Sequence, residues 1–598
     1  MEIINTIGDL KTHQPDTADP VVLVLDYYEA GDGGGGIFRW DAGESALPDE
    51  GVIIESLVDA GKWKRVFSGP IHVNWFGTRC DGDLATGSGT DDSEAVQKAI
   101  TFARENGYSD IYFNNVGTYT LKKVQIHPGL KIDLGGSTLI RTPESDFDSN
   151  GKSWNRMFTT EDWAKGNLTV PRGEEAVLTI SNGMLDGNKD FFETEGAEDW
   201  RHEHDALLFL VGKSELELKA TVSKVYFRNC YGSDAIAQWV CTDLSVHDCI
   251  FNSCDRGSIV LAGGASKLRF NNISCIDAKL HIEIETPEAV TVQGTNSDLG
   301  GGDSIGVYPG SEVLLDNIRC SNAPFTITSP ESRVNISNSI FRIGEKNSQT
   351  NRITFPGDIT FSHCKFILTK PRDIQNAEVC GIHIYWNTDS NENTYTHQKV
   401  RLNHCEWTAD EALSDSDKLY AVYSEGDDIG NHNAVMIHGG SVSPDFDTAF
   451  YMYGGRMYVD GGCVIRATEA LHAEGTTLGN GSLLRWRLEI GDIVLGKHVS
   501  TYAHLVASAD SKIIHRGTMI AAAQNVFTSQ PNYGLITAKG FRMIMGNSPP
   551  SGFDHALQGD IWRLEKPRAS RQCEWVATGQ SSLTGAVGQA TWKAISRA

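Results

Sequence analysis

The chain has 598 residues, is 40% hydrophobic and holds 61 glycines against 18 prolines, the composition of a folded rather than a disordered chain. Its formal net charge of -25 argues against non-specific nucleic-acid binding, which needs a basic surface. No apolar run is long enough to cross a bilayer, so neither nucleic acid nor membrane insertion is expected, and the opening MEIINTIGDLKTHQPD lacks the pattern of a secretory signal.

Residues 1–75 read as a separate head. Its GDGGGGIFRWD stretch is too glycine-rich for regular structure and lacks a following phosphate-binding Lys-Ser/Thr. Residues 76–125 read as a capping helix and the start of the main body. Within GTDDSEAVQKAITFARENG, Asp91 is the predicted N-cap with Glu94 three residues later, a capping-box spacing. Ala95, Ala99, Phe102 and Ala103 form the predicted apolar stripe, ended by Asn106-Gly107.

From 126 to 545 one short phrase recurs: apolar, any, apolar, any, then Asn, Asp, His or Gly. It reads LTISN at 178, VYFRN at 225, LSVHD at 244, LRFNN at 268, VNISN at 334, ITFSH at 359 and VRLNH at 400. The terminal positions 248, 272, 294, 317 and 338 lie 24, 22, 23 and 21 residues apart. A second strand falls between them, as in DAIAQWV at 234, GSIVLAG at 257, LHIEIE at 280, DSIGVYP at 303 and GIHIYW at 381. A period in the low twenties without helices excludes βαβ units and predicts an all-β fold, a parallel β-helix. The leucine-rich phrase LxxLxLxxN is absent. Asn and Cys at equivalent corners are expected to stack as ladders inside the helix. The twelve cysteines show neither CxxC nor zinc-ligand spacing. They are expected as buried thiols, with no metal and no cofactor. Residues 546–598 lose the repeat and read as a small β-rich module.

The order YYEAGDGGGGIFRWD, DEGVII, GKWKRVF and VNWFGTRCDG…GTDDSEAVQKAI resembles the head of bacteriophage tailspikes of the pectate-lyase-like superfamily. The likeness is dense from about residue 20 to 105 and extends more loosely through LDGN at 185. The C-terminal GDIW…EWVATG…TWK is similar to endings of phage tail fibres. The resemblance implies a homotrimer of right-handed β-helices on a virion tail, partnered by a phage tail or baseplate protein. It also implies binding, and usually depolymerising, a bacterial capsular polysaccharide or other surface glycan at the host cell.

The chemistry is expected on the second strand. In LHIEIETP, Leu280, Ile282 and Ile284 alternate with His281, Glu283 and Glu285, which places His-Glu-Glu on the outer face. Paired carboxylates suit glycoside cleavage, since one protonated acid donates to the leaving oxygen while an ionised partner activates water or attacks carbon. Glu283 or Glu285 is the expected acid, with its partner, Asp255 or Asp303 as base. Asp234, Arg256, His281 and Tyr308 are expected to contact substrate. Trp239 faces out if Ile236 is inside, and would then offer a sugar-stacking platform. The interrupting loop DFFETEGAEDWRHEHD adds Trp200, Arg201 and His202, and Tyr385 further on extends a groove or packs against a neighbouring subunit. Solvated surface is the competing reading for any one of these residues. A lyase using Arg256, Lys279, His281 or Tyr308, and a non-catalytic adhesin, are the rival functions.

Overall fold

The computed structural model describes residues 1–16, 20–114, 116–168, 175–264, 266–285 and 290–300. Beyond these it describes 303–307, 311–321, 324–328, 332–343, 351–354, 357–368, 378–385, 399–409, 418–425, 434–453 and 455–474, then strand backbones up to 594. Two compact units, Met1–Gly302 and Asp303–Ala598, are considered in turn.

The first unit opens with a sheet in the order Glu2–Thr6, Val21–Asp26, Gly36–Asp41, Lys62–Val66, Ile53–Glu55. Helix Ile7–Thr12 follows the first strand behind a Thr6/Asp9 capping box. Ile4, Leu10, Val24, Phe38, Trp40 and Trp63 form the core of the head. The glycine run has a steric cause: a Cβ on Gly35 would sit 1.9 Å from the Leu25 carbonyl oxygen. Arg65, buried, donates to the carbonyls of Gly34, Gly35 and Gly51 at 2.8, 2.6 and 2.9 Å. It lies 4.5 Å from the Phe38 ring centroid and 4.7 Å from that of Trp75, so one cation ties the loop to the sheet.

The capping helix is Ser93–Asn106, with Asp92 rather than Asp91 at the N-cap and no side-chain cap bond. Asp92 instead accepts from the N–H groups of Arg79 and Cys80 at 2.6 and 3.2 Å, and burial raises its carboxyl to about pKa 6. The buried apolar face is Val96, Ala99, Ile100, Phe102 and Ala103, so Ala99, Phe102 and Ala103 lie inside as expected, while Val96 rather than Ala95 completes the first turn.

From Ile71 onward the strands pair in parallel, each with its equivalent in the next coil. The body is a parallel β-helix. The recurring phrase ends at a corner in the left-handed region, with Asp248, Asn272 and Asn296 at φ 56°, 53° and 50°. Asn and Asp tolerate that conformation better than other non-glycine residues. Each corner N–H bonds onward, Asp248 to the Asn271 carbonyl and Asn272 to that of Thr295, both at 3.2 Å. The sequence misplaced two anchors. Lys224, not Asn229, stands in register with Asn182 and Asp248, and Asn296, not Gly294, follows Asn272. Asn229 belongs to a second left-handed ladder with Ser253 and Asp277. The asparagine ladder is also exposed rather than internal, with Asn272 Nδ2 on Asp248 Oδ1 at 2.7 Å. Cysteine does lie inside: Cys230 and Cys254 pair in register with sulfurs 3.4 Å apart, beside the stacked rings of Phe227 and Phe251.

In the second unit the same corner carries Asn317, Asn338, His363 and His404, then Gly439 and Gly461, all at positive φ. Its interior stacks Phe341, Phe366 and Trp407. Two second strands escaped the sequence reading, Asn351–Thr354 and Lys418–Glu425. Four short strands, Met543–Gly546, Ile561–Leu564, Glu574–Ala577 and Trp592–Ala594, form a separate small sheet.

Asn272→Val should lower stability by about 1–2 kcal/mol, because a β-branched residue is strained at this corner. Asn272→Gly should change it by only about half a kcal/mol. Denaturant midpoints of the two variants check the difference.

Candidate active site

Strand Asp234–Trp239 pairs with Ile250–Ala262, which pairs with Ser274–Ile284. Ile236, Ile259 and Ile282 align and are buried, as do Gln238, Leu261 and Ile284. The period of two therefore turns Glu283 outward behind Ala237 and Val260, and Trp239 outward beside Ala262. Glu285 continues that second row, its N–H on the Leu261 carbonyl at 2.8 Å. Trp239 is 39% exposed and meets the Phe209 ring edge-on at 5.2 Å. Two coils separate it from Glu285, roughly 10 Å along the wall.

A β-bulge sets the electrostatics. Cys254 pairs with Ala278 and Gly257 with Leu280, so Asp255 and Arg256 together oppose one residue. Bulges re-aim the side chains they carry. Arg256 Nη2 donates to Glu285 Oε1 at 2.7 Å and its Nη1 to the Glu203 carbonyl at 2.6 Å. Asp255 turns the other way, accepting from Lys189 Nζ at 2.6 Å and from the Gly232 N–H at 3.0 Å. Both oxygens of Asp255, a base candidate from the sequence, are thus engaged within the protein, one by Lys189 and one by the Gly232 N–H.

Asp234 is 5% exposed, and its Oδ1 has no hydrogen-bond partner among the described residues. Burial pushes its carboxyl up to about pKa 8; Arg256 opposes the shift, while Glu285 and Glu283 add to it. At neutral pH a protonated carboxyl thus lies within electrostatic reach of two outward glutamates and a guanidinium.

The loop from Asp186 to Asp205 positions Arg256. Arg141 and Asp205, both fully buried, form an ion pair at 3.1 Å. Asp205 also accepts from the Asn155 N–H at 2.6 Å and holds His202 Nδ1 at 2.8 Å. The Phe192 ring lies 4.1 Å from the Arg141 guanidinium. This buried knot fixes the chain two residues before Asp205, where the Glu203 carbonyl meets Arg256. On the outer side, Lys152 Nζ contacts Glu203 Oε1 at 2.7 Å, and Trp154 stacks on His204 at 4.4 Å.

Other expected contacts fare differently. His281 is fully buried, with Nε2 on the Gly300 carbonyl at 3.0 Å and Nδ1 facing Ser258 Oγ at 3.3 Å; it shares the strand of Glu283 but is not open to a ligand. His202 is buried in the Asp205 knot for the same reason: the interrupting loop folds back onto the wall. Trp200 is 44% exposed, with Lys152 Nζ 4.5 Å from its ring, and Arg201 pairs with Glu198. Tyr385 is exposed in the second unit. The side chain of Asp303 and the whole of Tyr308 lie outside the described residues. Arg141, Lys189, Glu203 and Asp205 were not singled out from sequence; the charge density of the loop could have signalled the last three, while nothing marked Arg141 at the end of strand Thr138–Arg141.

Residues 3–68 match the family model of the phage tail protein small four-stranded β-sheet domain. Over those residues the resemblance of the head to a phage tail protein is borne out, in a chain whose body is a parallel β-helix. No curated protein matches the sequence. Among solved structures, the chain is similar to Pantoea stewartii WceF, described as a glycan biofilm modifying enzyme with a bacteriophage tailspike-like parallel β-helix fold, at 15% identity and a TM-score of 0.39. That match covers 56% of this chain and 46% of WceF, so the chain spans under half the length of that relative. It is also similar to the tailspike gp49 of Acinetobacter baumannii bacteriophage Fri1, a capsular polysaccharide depolymerase, at 11% identity, TM-score 0.32, covering 90% and 76% of the two chains. A third similar structure is the Azotobacter vinelandii mannuronan C-5 epimerase AlgE6 A-module, at 12% identity, TM-score 0.31, covering 80% and 100%. The reading of the site rests on its own geometry.

Asp205→Ala should cost about 3–5 kcal/mol, because it strands the buried Arg141 cation, and a thermal melt reads the loss. Asp234 binds its proton more tightly folded than unfolded, so its contribution is fully present below about pH 4 and is lost as pH rises through about 8. Asp234→Asn should therefore gain on wild type by a few kcal/mol between those limits, measured as denaturant midpoints at pH 5 and pH 9.

Proposed function

We propose that this chain is a phage tailspike that binds and depolymerises a bacterial surface polysaccharide by glycosidic hydrolysis, with Glu285 and Glu283 as the reacting carboxylates. The observation that carries the reading is the pair of outward glutamates on one strand, one of them held by Arg256 at 2.7 Å, in the same row as an exposed tryptophan.

The roles follow from position. Arg256 orients the Glu285 carboxylate through the 2.7 Å hydrogen bond, which suits it to activate water or attack the anomeric carbon. Glu283, one pleat away on the same outer face, is placed to donate to the leaving oxygen. Asp234, neutral up to about pH 8, lies within electrostatic reach of both glutamates and the guanidinium and adds no third negative charge there. Trp239 supplies a flat apolar face for a sugar ring. The phage tail-protein domain at residues 3–68 supports a location on the virion tail, attached through a tail or baseplate partner. The tailspike resemblance supports a homotrimer and a capsular substrate. Elimination at a uronate is the alternative chemistry; it loses a base candidate in His281, which is buried and bonded to Gly300.

Glu283→Gln and Glu285→Gln should each slow chain cleavage by about 100-fold or more while the protein still binds the polysaccharide. Size-exclusion chromatography of host capsule after incubation reads this directly. Undiminished cleavage by either variant would sink the assignment, and an unsaturated, ultraviolet-absorbing product would establish elimination instead.

A further inference from the structure

The second unit carries another outward row, far richer in rings than solvation requires. Arg352, His383, Tyr423, Tyr451 and His472 stand in register on successive coils. Beside them, Thr354, Tyr385, Glu425 and Tyr453 form a parallel row. Tyr423 and Tyr451 stack at 4.8 Å and 3°, and Tyr451 stacks on His472 at 4.6 Å and 13°. The His383 ring meets Tyr423 edge-on at 5.1 Å.

The polar groups at one end of this row converge. His383 Nε2 lies 2.9 Å from Glu425 Oε1, and Tyr423 also hydrogen-bonds the Glu425 carboxylate. A carboxylate satisfied from two sides fixes the orientation of both rings. With Nε2 bound to Glu425, Nδ1 of His383 is the nitrogen left for another contact. Arg352, one coil earlier in the same row, is exposed, and its guanidinium acts electrostatically on the Glu425 carboxylate. Its neighbours Asn351 and Ile353 are buried, so alternation holds the guanidinium on the outer face. A bidentate cation beside an oriented imidazole and a run of phenols is a carboxylate receptor with an aromatic floor.

We propose that the row from Arg352 to His472 is a binding site for an acidic sugar, a hexuronate or equivalent carboxylate-bearing residue of a polysaccharide, with Arg352 taking the carboxylate. The neighbouring His383 and the Tyr385 hydroxyl, on a 39% exposed side chain, hydrogen-bond the ring hydroxyls. Successive coils, spaced by roughly 4.8 Å, offer Tyr423, Tyr451 and His472 to residues further along the glycan. A polysaccharide fits this row better than an acidic peptide, because the row is rigid, flat and edged with hydroxyl and imidazole donors. The proposal does not depend on the reaction assigned to Glu283 and Glu285.

The test is saturation-transfer NMR and titration calorimetry on the full chain with trigalacturonate, its methyl ester and glucuronate. The acids should bind and the ester should not, and Arg352→Ala should weaken acid binding tenfold or more. The same measurements in a Glu283→Gln/Glu285→Gln background should be unchanged, which separates this site from the proposed catalytic one. Binding of acid and ester alike, no binding of either acid, or equal affinity in Arg352→Ala would overturn the proposal. So would loss of binding only in the double-glutamine protein. A change of oligomeric state in Arg352→Ala would assign the row to an interface between copies of the chain instead.

Discussion

Parallel strands stacked coil on coil are useful only if their register never slips, and the left-handed corner is what prevents slipping. At Asp248 and Asn272 the backbone turns through a conformation that few side chains tolerate, and each corner N–H is spent on the next coil. A slip by one residue would push every outward side chain inside, and in one direction it would place Cys249 and Ile273 at the corner. The first penalty acts in every coil. The rows of outward groups inherit this regularity, so Glu285 can share a row with Trp239 although 46 positions separate them.

On that regular wall the candidate site depends on one irregularity. Without the bulge at Asp255-Arg256, the alternation would turn these neighbours to opposite faces in phase with the rest of the strand. The inserted residue lets Arg256 reach Glu285 and lets Asp255 anchor the loop through Lys189. Local order is given up where charge has to be gathered, and the fully buried Arg141–Asp205 pair restrains the loop that results. The burial of Asp234 completes the balance: its neutral form removes one charge from a place already crowded with carboxylates.

Much of this was legible before any coordinates. The alternation of LHIEIE, the inward set Ile282 and Ile284, and the outward Trp239 all follow from a period of two. What failed had local physical causes. Asn229 and Gly294 looked like corners because asparagine and glycine favour left-handed backbone wherever they occur, whereas Lys224 adopts it only because its neighbours on both sides do. His281 and His202 looked like ligands because polar side chains on strands and loops are usually open to water. Here a folded-back loop and the Gly300 carbonyl cover them. Asn351–Thr354 and Lys418–Glu425 were not legible because the sequence around them departs from the coil length of the earlier repeats, and Glu425 went with them.

Corner positions 248 and 272 are 24 residues apart, while 363 and 404, still in one ladder with an N–H of His363 bonded at 2.8 Å to Asn403, are 41 apart. Added chain therefore leaves the corner geometry untouched. Such a scaffold separates what must stay constant from what is free to differ: the rim around the wall can be lengthened, shortened or exchanged without renegotiating the stack beneath it. For the proposed tailspike, that separation makes a change of glycan target a matter of altering insertions rather than of inventing a new fold.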